Sequence, residues 1–170
     1  PNLSQVTNLS YMFWGARSFN GAIGNWDTGN VTNMSAMFYY AESFNQDLND
    51  WDVSKVQTMN SLFAHALAFN GNISEWNVGN VVNMNSVFYR ALSFNQNIGG
   101  WNVSKVTDMT SMFQAAEVFN QDLNRWNVGA VTNMSGMFRS ATAFNGDISS
   151  WNVSNVTNMS SMFHFAASFN

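Results

Sequence analysis

Few side chains in this sequence have the types and spacing to do chemistry. Asp27 and Asp52 occupy one register position in successive repeats, and Asp122 and Asp147 occupy another. Two carboxylates one repeat apart suit a calcium ion or an acid–base pair. The first column, however, continues as Asn77, Asn102, Asn127 and Asn152. Four of its six positions carry the neutral isostere, so a solvated amide ladder is the better reading. For Asp122 and Asp147 an incidental cation is the most the pair suggests. Met34, Met59, Met84, Met109, Met134 and Met159 offer thioethers to a soft metal. They recur beside Phe and Ala on an apolar face, where Met serves as an adaptable filler. His65 and His164 occupy different repeats and different register positions, cysteine is absent, and no Ser-His-Asp or Cys-His set recurs. Glycine falls at bends and not in a phosphate-cradling loop. The sequence therefore predicts no catalytic residues, no cofactor, no metal and no enzyme activity.

The elements that must position these residues are repeats. Trp26, Trp51, Trp76, Trp101, Trp126 and Trp151 keep a 25-residue period without a slip. Two Phe columns (Phe38, Phe63, Phe88 and Phe44, Phe69, Phe94 among them) and an Ala column (Ala41, Ala66, Ala91) keep the same register. A fixed period of this length signals a solenoid, whose units bury a core only by stacking. Within one unit Met59, Leu62, Phe63 and Ala66 fall at i, i+3, i+4 and i+7, one face of a short helix. The preceding column, Asn8, Asn33, Thr58, Asn83, Asp108, Asn133 and Asn158, supplies good N-caps. Leu48, Trp51 and Val53 give the spacing Leu-x-x-Trp-x-Val, the apolar signature of a leucine-rich-repeat strand. The expected fold is an α/β, leucine-rich-repeat-like solenoid with one 25-residue unit per turn. Short parallel strands would line one face and short helices the other. A two-unit rhythm is superimposed: Ser4, Gly29, Ser54, Gly79, Ser104, Gly129 and Ser154 alternate strictly.

Residues 1–170 read as a single array of about seven units without a linker, a segment of a longer array. Neither end carries a polar capping segment, so the ends would continue into further repeats or stack on other copies, the latter giving a filament. The net charge of −4 and the absence of a basic patch argue against a nucleic-acid partner. Only 9% of residues are charged, so Asn, Ser and Thr must supply most of the surface, which favours an extracellular or wall-associated setting. No apolar run is long enough to span a membrane, and no signal peptide is visible.

WDVSKV, TNMS-x-MF and A-x-x-FN-x-D-I together resemble the BspA-like surface-protein repeats, over essentially all of residues 2–170. The units of that family, like those here, belong to the leucine-rich-repeat-like size class of about 25 residues. The resemblance implies a leucine-rich-repeat-like solenoid, exposure at the cell surface and roles in adhesion or protein interaction. It implies no catalytic residues. The first unit departs from the pattern, with Pro1 in place of Trp and Leu9 in place of Met.

The remaining candidates are surface features. Asn20, Asn45, Asn70, Asn95, Asn120 and Asn145 each follow a Phe. They read as a structural ladder, in which Asn at a bend satisfies neighbouring backbone groups and stacked copies hydrogen-bond along the array. The Trp column reads as a second ladder, in the core. The two positions after the first Phe vary most, and Trp14, Tyr39, Tyr40, Tyr89 and Arg90 among them are residue types that carry interface energy. They form a candidate interface for a partner or for self-assembly, weighed against drift at unconstrained surface sites. Asn-x-Ser/Thr sequons are frequent, Asn2 included, but most arise from the repeat itself. Asn30 and Asn155, at a variable bend, are the better glycosylation candidates. The expected function is a non-enzymatic structural module of a surface or extracellular protein, forming or decorating a filament through self-association or neighbouring repeats. The alternative is an adhesin binding a host protein or glycan. Ice binding is disfavoured, because Gln57 and Val82 interrupt the row of Thr7, Thr32, Thr107, Thr132 and Thr157.

Overall fold

The structure, a computed structural model, describes residues 3–170; Pro1 and the Asn2 sequon lie outside the described residues. Each repeat makes one coil, and the coils stack in register. Parallel bridges join Asn8 to Asn33, Asn33 to Thr58, Thr58 to Asn83, Asn83 to Asp108, Asp108 to Asn133 and Asn133 to Asn158. Among the described residues there is no α-helix and no strand longer than these isolated bridges. The α/β expectation, with helices on one face and a parallel sheet on the other, is corrected accordingly.

The helix gives way because half of its backbone donors are used between coils. In the third coil Leu62, Ala64 and Ala66 donate three residues back, to Met59, Ser61 and Phe63. The residues between them donate to the next coil: Ser61 to Asn85 (2.8 Å), Phe63 to Val87 (2.9 Å) and His65 to Tyr89 (2.7 Å). An α-helix would turn every one of these donors inward, to the carbonyl four residues back. The segment is instead a run of tandem tight turns. It needs two left-handed residues per coil, Ser61 (φ 57°) and His65 (φ 59°) in this one, with equivalents in each of the other coils. Met59, Leu62, Phe63 and Ala66 still face inward and are fully buried. Burial therefore follows the helical periodicity while the hydrogen bonding does not.

The expected strand is also displaced. At Leu48–Val53 the backbone closes turns, Trp51 N–H to Leu48 and Val56 N–H to Val53. The bridged inter-coil pairing runs along the tandem-turn segment, the face assigned to helices, while at the expected strand Leu48 N–H also crosses to Asn72 (3.1 Å). The expected N-cap column does accept backbone donors, two residues on: Asn33 Oδ1 from Ser35 (2.9 Å), Asn83 Oδ1 from Asn85 (2.8 Å) and Asp108 Oδ1 from Thr110 (2.9 Å). These are Asx-turns that open a coil segment, not caps that open a helix. Thr58 departs from the column, its hydroxyl donating to the Asn60 side chain (2.9 Å).

The core is a set of aromatic stacks. Within a coil the two Phe rings lie face to face, Phe63 on Phe69 and Phe88 on Phe94, each at 3.8 Å. Between coils Phe38 meets Phe63 at 5.4 Å, and Phe69 meets Phe94 at 5.9 Å. The Trp rings form a third stack, with Trp51 to Trp76 at 6.4 Å. Each core indole also donates to a carbonyl of the preceding coil, Trp76 to Leu48 (2.8 Å) and Trp101 to Ile73 (3.1 Å). A buried Trp needs such a partner, and here the bond ties one coil to the one before it.

Candidate functional site

The variable columns lie at the outer edge of the tandem turns. One residue of each variable pair, Tyr40, His65 and Arg90 among them, is left-handed. In the first four coils the side chains of these columns make one continuous aromatic strip. Tyr11 packs edge-on against Trp14 (5.9 Å), and Trp14 against Tyr39 (6.4 Å). Tyr39 meets Tyr40 at 4.8 Å, Tyr40 stacks on His65 at 4.1 Å, and His65 meets Tyr89 edge-on at 5.1 Å. Arg17 lies 5.8 Å above the Tyr40 ring and pairs with Glu42 at 3.5 Å. Trp14 is 61% exposed, while Tyr39, Tyr40, His65 and Tyr89 are half-buried.

The structure thus brings together Trp14, Tyr39, Tyr40 and Tyr89, with exposed Arg90 at their edge. Sequence reasoning missed two members. Tyr11 sits in a column otherwise filled by Ser, Ala and Gly, and that oddity was the available signal. His65 falls in the same variable pair as Tyr40 and Arg90, and His is an interface residue type, but the sequence reading leaves it out of the candidate interface. Burial pushes the His65 imidazole below its ordinary 6.5, the Arg90 charge pushes it the same way, and Glu42 opposes both. Burial also raises the Tyr39 phenol, reinforced by the Tyr40 and Tyr89 phenols and by a hydrogen bond with Tyr40. Beside the strip runs an open groove of about 330 Å³ lined by Tyr39, Ser61, Ser86, Tyr89, Ser111 and Gln114.

The two ladder columns are bonding rows. Asn45 N–H donates to Asn20 Oδ1 (2.9 Å), Asn70 to Asn45 (2.8 Å), Asn95 to Asn70 (2.9 Å), Asn120 to Asn95 (2.9 Å) and Asn145 to Asn120 (2.8 Å). Trp51, Trp76, Trp101 and Trp126 are buried, with Trp26 and Trp151 partly so. Asn30 and Asn155 are both exposed. Their amides are occupied, Asn30 Nδ2 donating to Ser4 O (2.8 Å) and Asn155 Nδ2 to Gly129 O (2.7 Å). Lys55 Nζ donates to Asn30 Oδ1 (2.7 Å).

The carboxylate pairs spend their oxygens on backbone. Asp27 accepts from Gly29 (3.3 Å) and Asp52 from Ser54 (2.9 Å). The Ser54 hydroxyl and amide hold Asp52 below its ordinary value, burial works against them, and Lys55 assists. Asp122 Oδ1 accepts the Asp147 N–H (2.9 Å), so that pair is one more inter-coil rung. Among the described residues no group of three or more His, Asp or Glu is placed to hold a metal ion. Met34, Met59, Met84, Met109 and Met134 are fully buried against the rings, and Met159 is 41% exposed.

A family model described as "Mycoplasma protein of unknown function, DUF285" matches residues 1–98 and again residues 70–170. The chain belongs to this family. The two matches cover the whole array, and their overlap is what a repeat family produces when its pattern can be laid on the coils in more than one place. No curated protein matches the chain. Among the described residues no helix is long and apolar enough to cross a membrane.

Proposed function

We propose that the chain is a non-enzymatic structural repeat module of a surface or extracellular protein, of the BspA-like kind within its repeat family. The observation that carries this reading is the direction of the inter-coil bonds. Each inner coil donates from its tandem turns to the next coil and from its Asn and Thr rows to the one before, as with Ser61 to Asn85 and Thr107 to Val82. Nothing in this bonding limits the number of coils, so the unit suits a long array or filament built by neighbouring repeats or copies. The polar side chains go mostly into holding coils together, which supports a structural reading over a catalytic one.

The aromatic strip favours a second role, display of a binding surface on that rigid support. Trp, Tyr and Arg carry contact energy when clustered, and here they cluster in the first four coils. Electron microscopy of the native, full-length protein tests the first role. Long rods with an axial repeat of about 4.8 Å are the expected result. Discrete compact monomers would overturn it and leave the display role. Mass spectrometry of the same material would report glycans at Asn30 and Asn155.

A further inference from the structure

Resting on the display role, we propose that the groove beside the strip binds a neutral, extended, β-linked glycan. The groove's floor is a row of hydroxyls, Ser61, Ser86 and Ser111, one per coil. All three have left-handed backbone, with φ of 57°, 56° and 53°. Their backbone groups are fully used: the amides donate to Asn85, Thr110 and Ser135, and the carbonyls accept from Ala64, Tyr89 and Gln114. Their hydroxyls have no hydrogen-bond partner among the described residues. The adjacent row behaves differently, with the Ser35 hydroxyl donating to Asn60 Oδ1 (2.7 Å) and the Ser135 hydroxyl meeting that of Ser160 (2.7 Å). The Ser61 row therefore keeps free donors and acceptors in line along the stack.

Among the residues that line the groove, rings stand at alternate coils; the intervening ring, His65, belongs to the strip and not to the lining. Tyr39 and Tyr89 flank Ala64, which offers no ring, and Gln114 continues the column with an amide. In a β-1,4-linked chain successive sugars are flipped, so the same apolar C–H face returns at every second sugar. One such sugar is about as long as one coil is tall, about 4.8 Å. Tyr39 and Tyr89 are thus spaced to stack on alternate sugars, while the Ser hydroxyls along the floor, and the Gln114 amide one coil beyond Tyr89, meet the sugar hydroxyls. No lining residue is charged, which excludes the basic groove that a nucleic acid requires and disfavours an anionic glycan. A protein partner would want an apolar, water-excluding centre, and this floor is hydroxylic.

Isothermal titration of the intact chain with cellohexaose, against α-linked maltohexaose, tests the proposal. Saturable binding of cellohexaose is expected. Tyr89→Ala should weaken it roughly tenfold, the loss of one aromatic stacking contact. Ser86→Ala, a small change at a partly exposed site, should weaken it roughly threefold with the fold intact by circular dichroism. Failure of cellohexaose to bind overturns the proposal, as does binding indifferent to both substitutions or equal binding of maltohexaose. Adhesion assays on whole protein separate the two levels. Adhesion that survives Tyr89→Ala and glycan removal from the target overturns the glycan proposal and keeps the display role, with a protein as the partner. Absence of any adhesion overturns both.

Discussion

Trp101 concentrates at one residue the forces that hold neighbouring coils. Its indole is 3% exposed, lies in a ring stack with Trp76 (6.2 Å), touches Phe88 (6.2 Å) and donates to the Ile73 carbonyl of the preceding coil. Trp101→Ala removes the rings and the indole bond, leaving the Ile73 carbonyl only the longer bond from the Trp76 N–H (3.3 Å). A loss of about 3–5 kcal/mol is expected, read from chemical denaturation. A variant as stable as the parent would show that the Trp column is not core. His65 supplies a pH-dependent counterpart. Its folded pKa is depressed by burial and by Arg90, so as pH falls the unfolded chain takes up the proton first. The stability it contributes is whole above the unfolded value of 6.5 and is lost as pH falls through the lower folded value. The parent should therefore lose melting temperature between about pH 7.5 and about pH 5 faster than His65→Gln does. An imidazole resonance titrating at or above 6.5 would contradict this.

At the scale of the element, the tandem turn and the helix make opposite predictions for one methyl group. Ala115 has φ 55° and is half-buried. In a helix Ala→Gly costs about 1 kcal/mol. At a left-handed position the same change relieves about 1 kcal/mol of contact between Cβ and the backbone. Ala115→Gly should leave the melting temperature unchanged or raised, and a clear drop would favour the helix. This element marks where the sequence stopped being legible. Met59, Leu62, Phe63 and Ala66 disclose an inward face, and all four are buried, but an inward face at i, i+3, i+4, i+7 is shared by a helix and by paired tight turns. The difference lies in the partners of the Ser61, Phe63 and His65 amides, which sit in the following coil and leave no trace in a local window. The left-handed positions gave little warning either, since Ser, His, Arg, Ala and Tyr fill them more often than Gly. The strand error has the same root: Trp51 and Val53 alternate because both pack inward from turns, while the pairing register was carried by Asn33, Thr58 and Asn83. Of the candidate site, Trp14, Tyr39, Tyr40 and Tyr89 were legible as variable aromatics. Their fusion through His65 was not, because ring contacts across coils need the stacking distance.

For the whole molecule, register outweighs any single contact. A stack in which each unit touches only its neighbours has a stability that is nearly a sum of unit and interface terms. The bridges, the Asn row and the ring stacks all share one period, so removing a whole period should cost one unit and one interface and misplace nothing. Deletion of residues 76–100 joins Glu75 to Trp101, and every later residue takes the register of the one it replaces. That variant should fold and melt cooperatively, somewhat below the parent. Deletion of residues 76–87 puts Phe88 where Trp76 stood and sets the Asn, Phe and Trp rows against unlike residues. The Asn95 amide then no longer meets Asn70 Oδ1, and the left-handed residues fall at positions built for turns of the other hand. This shorter deletion should destroy the cooperative transition although it removes less of the core. Equal stability of the two variants, measured by thermal melting with circular dichroism, would mean that burial alone holds the coils. A cooperative 76–100 deletion beside a collapsed 76–87 deletion would place the specificity of the fold in the periodic hydrogen bonds.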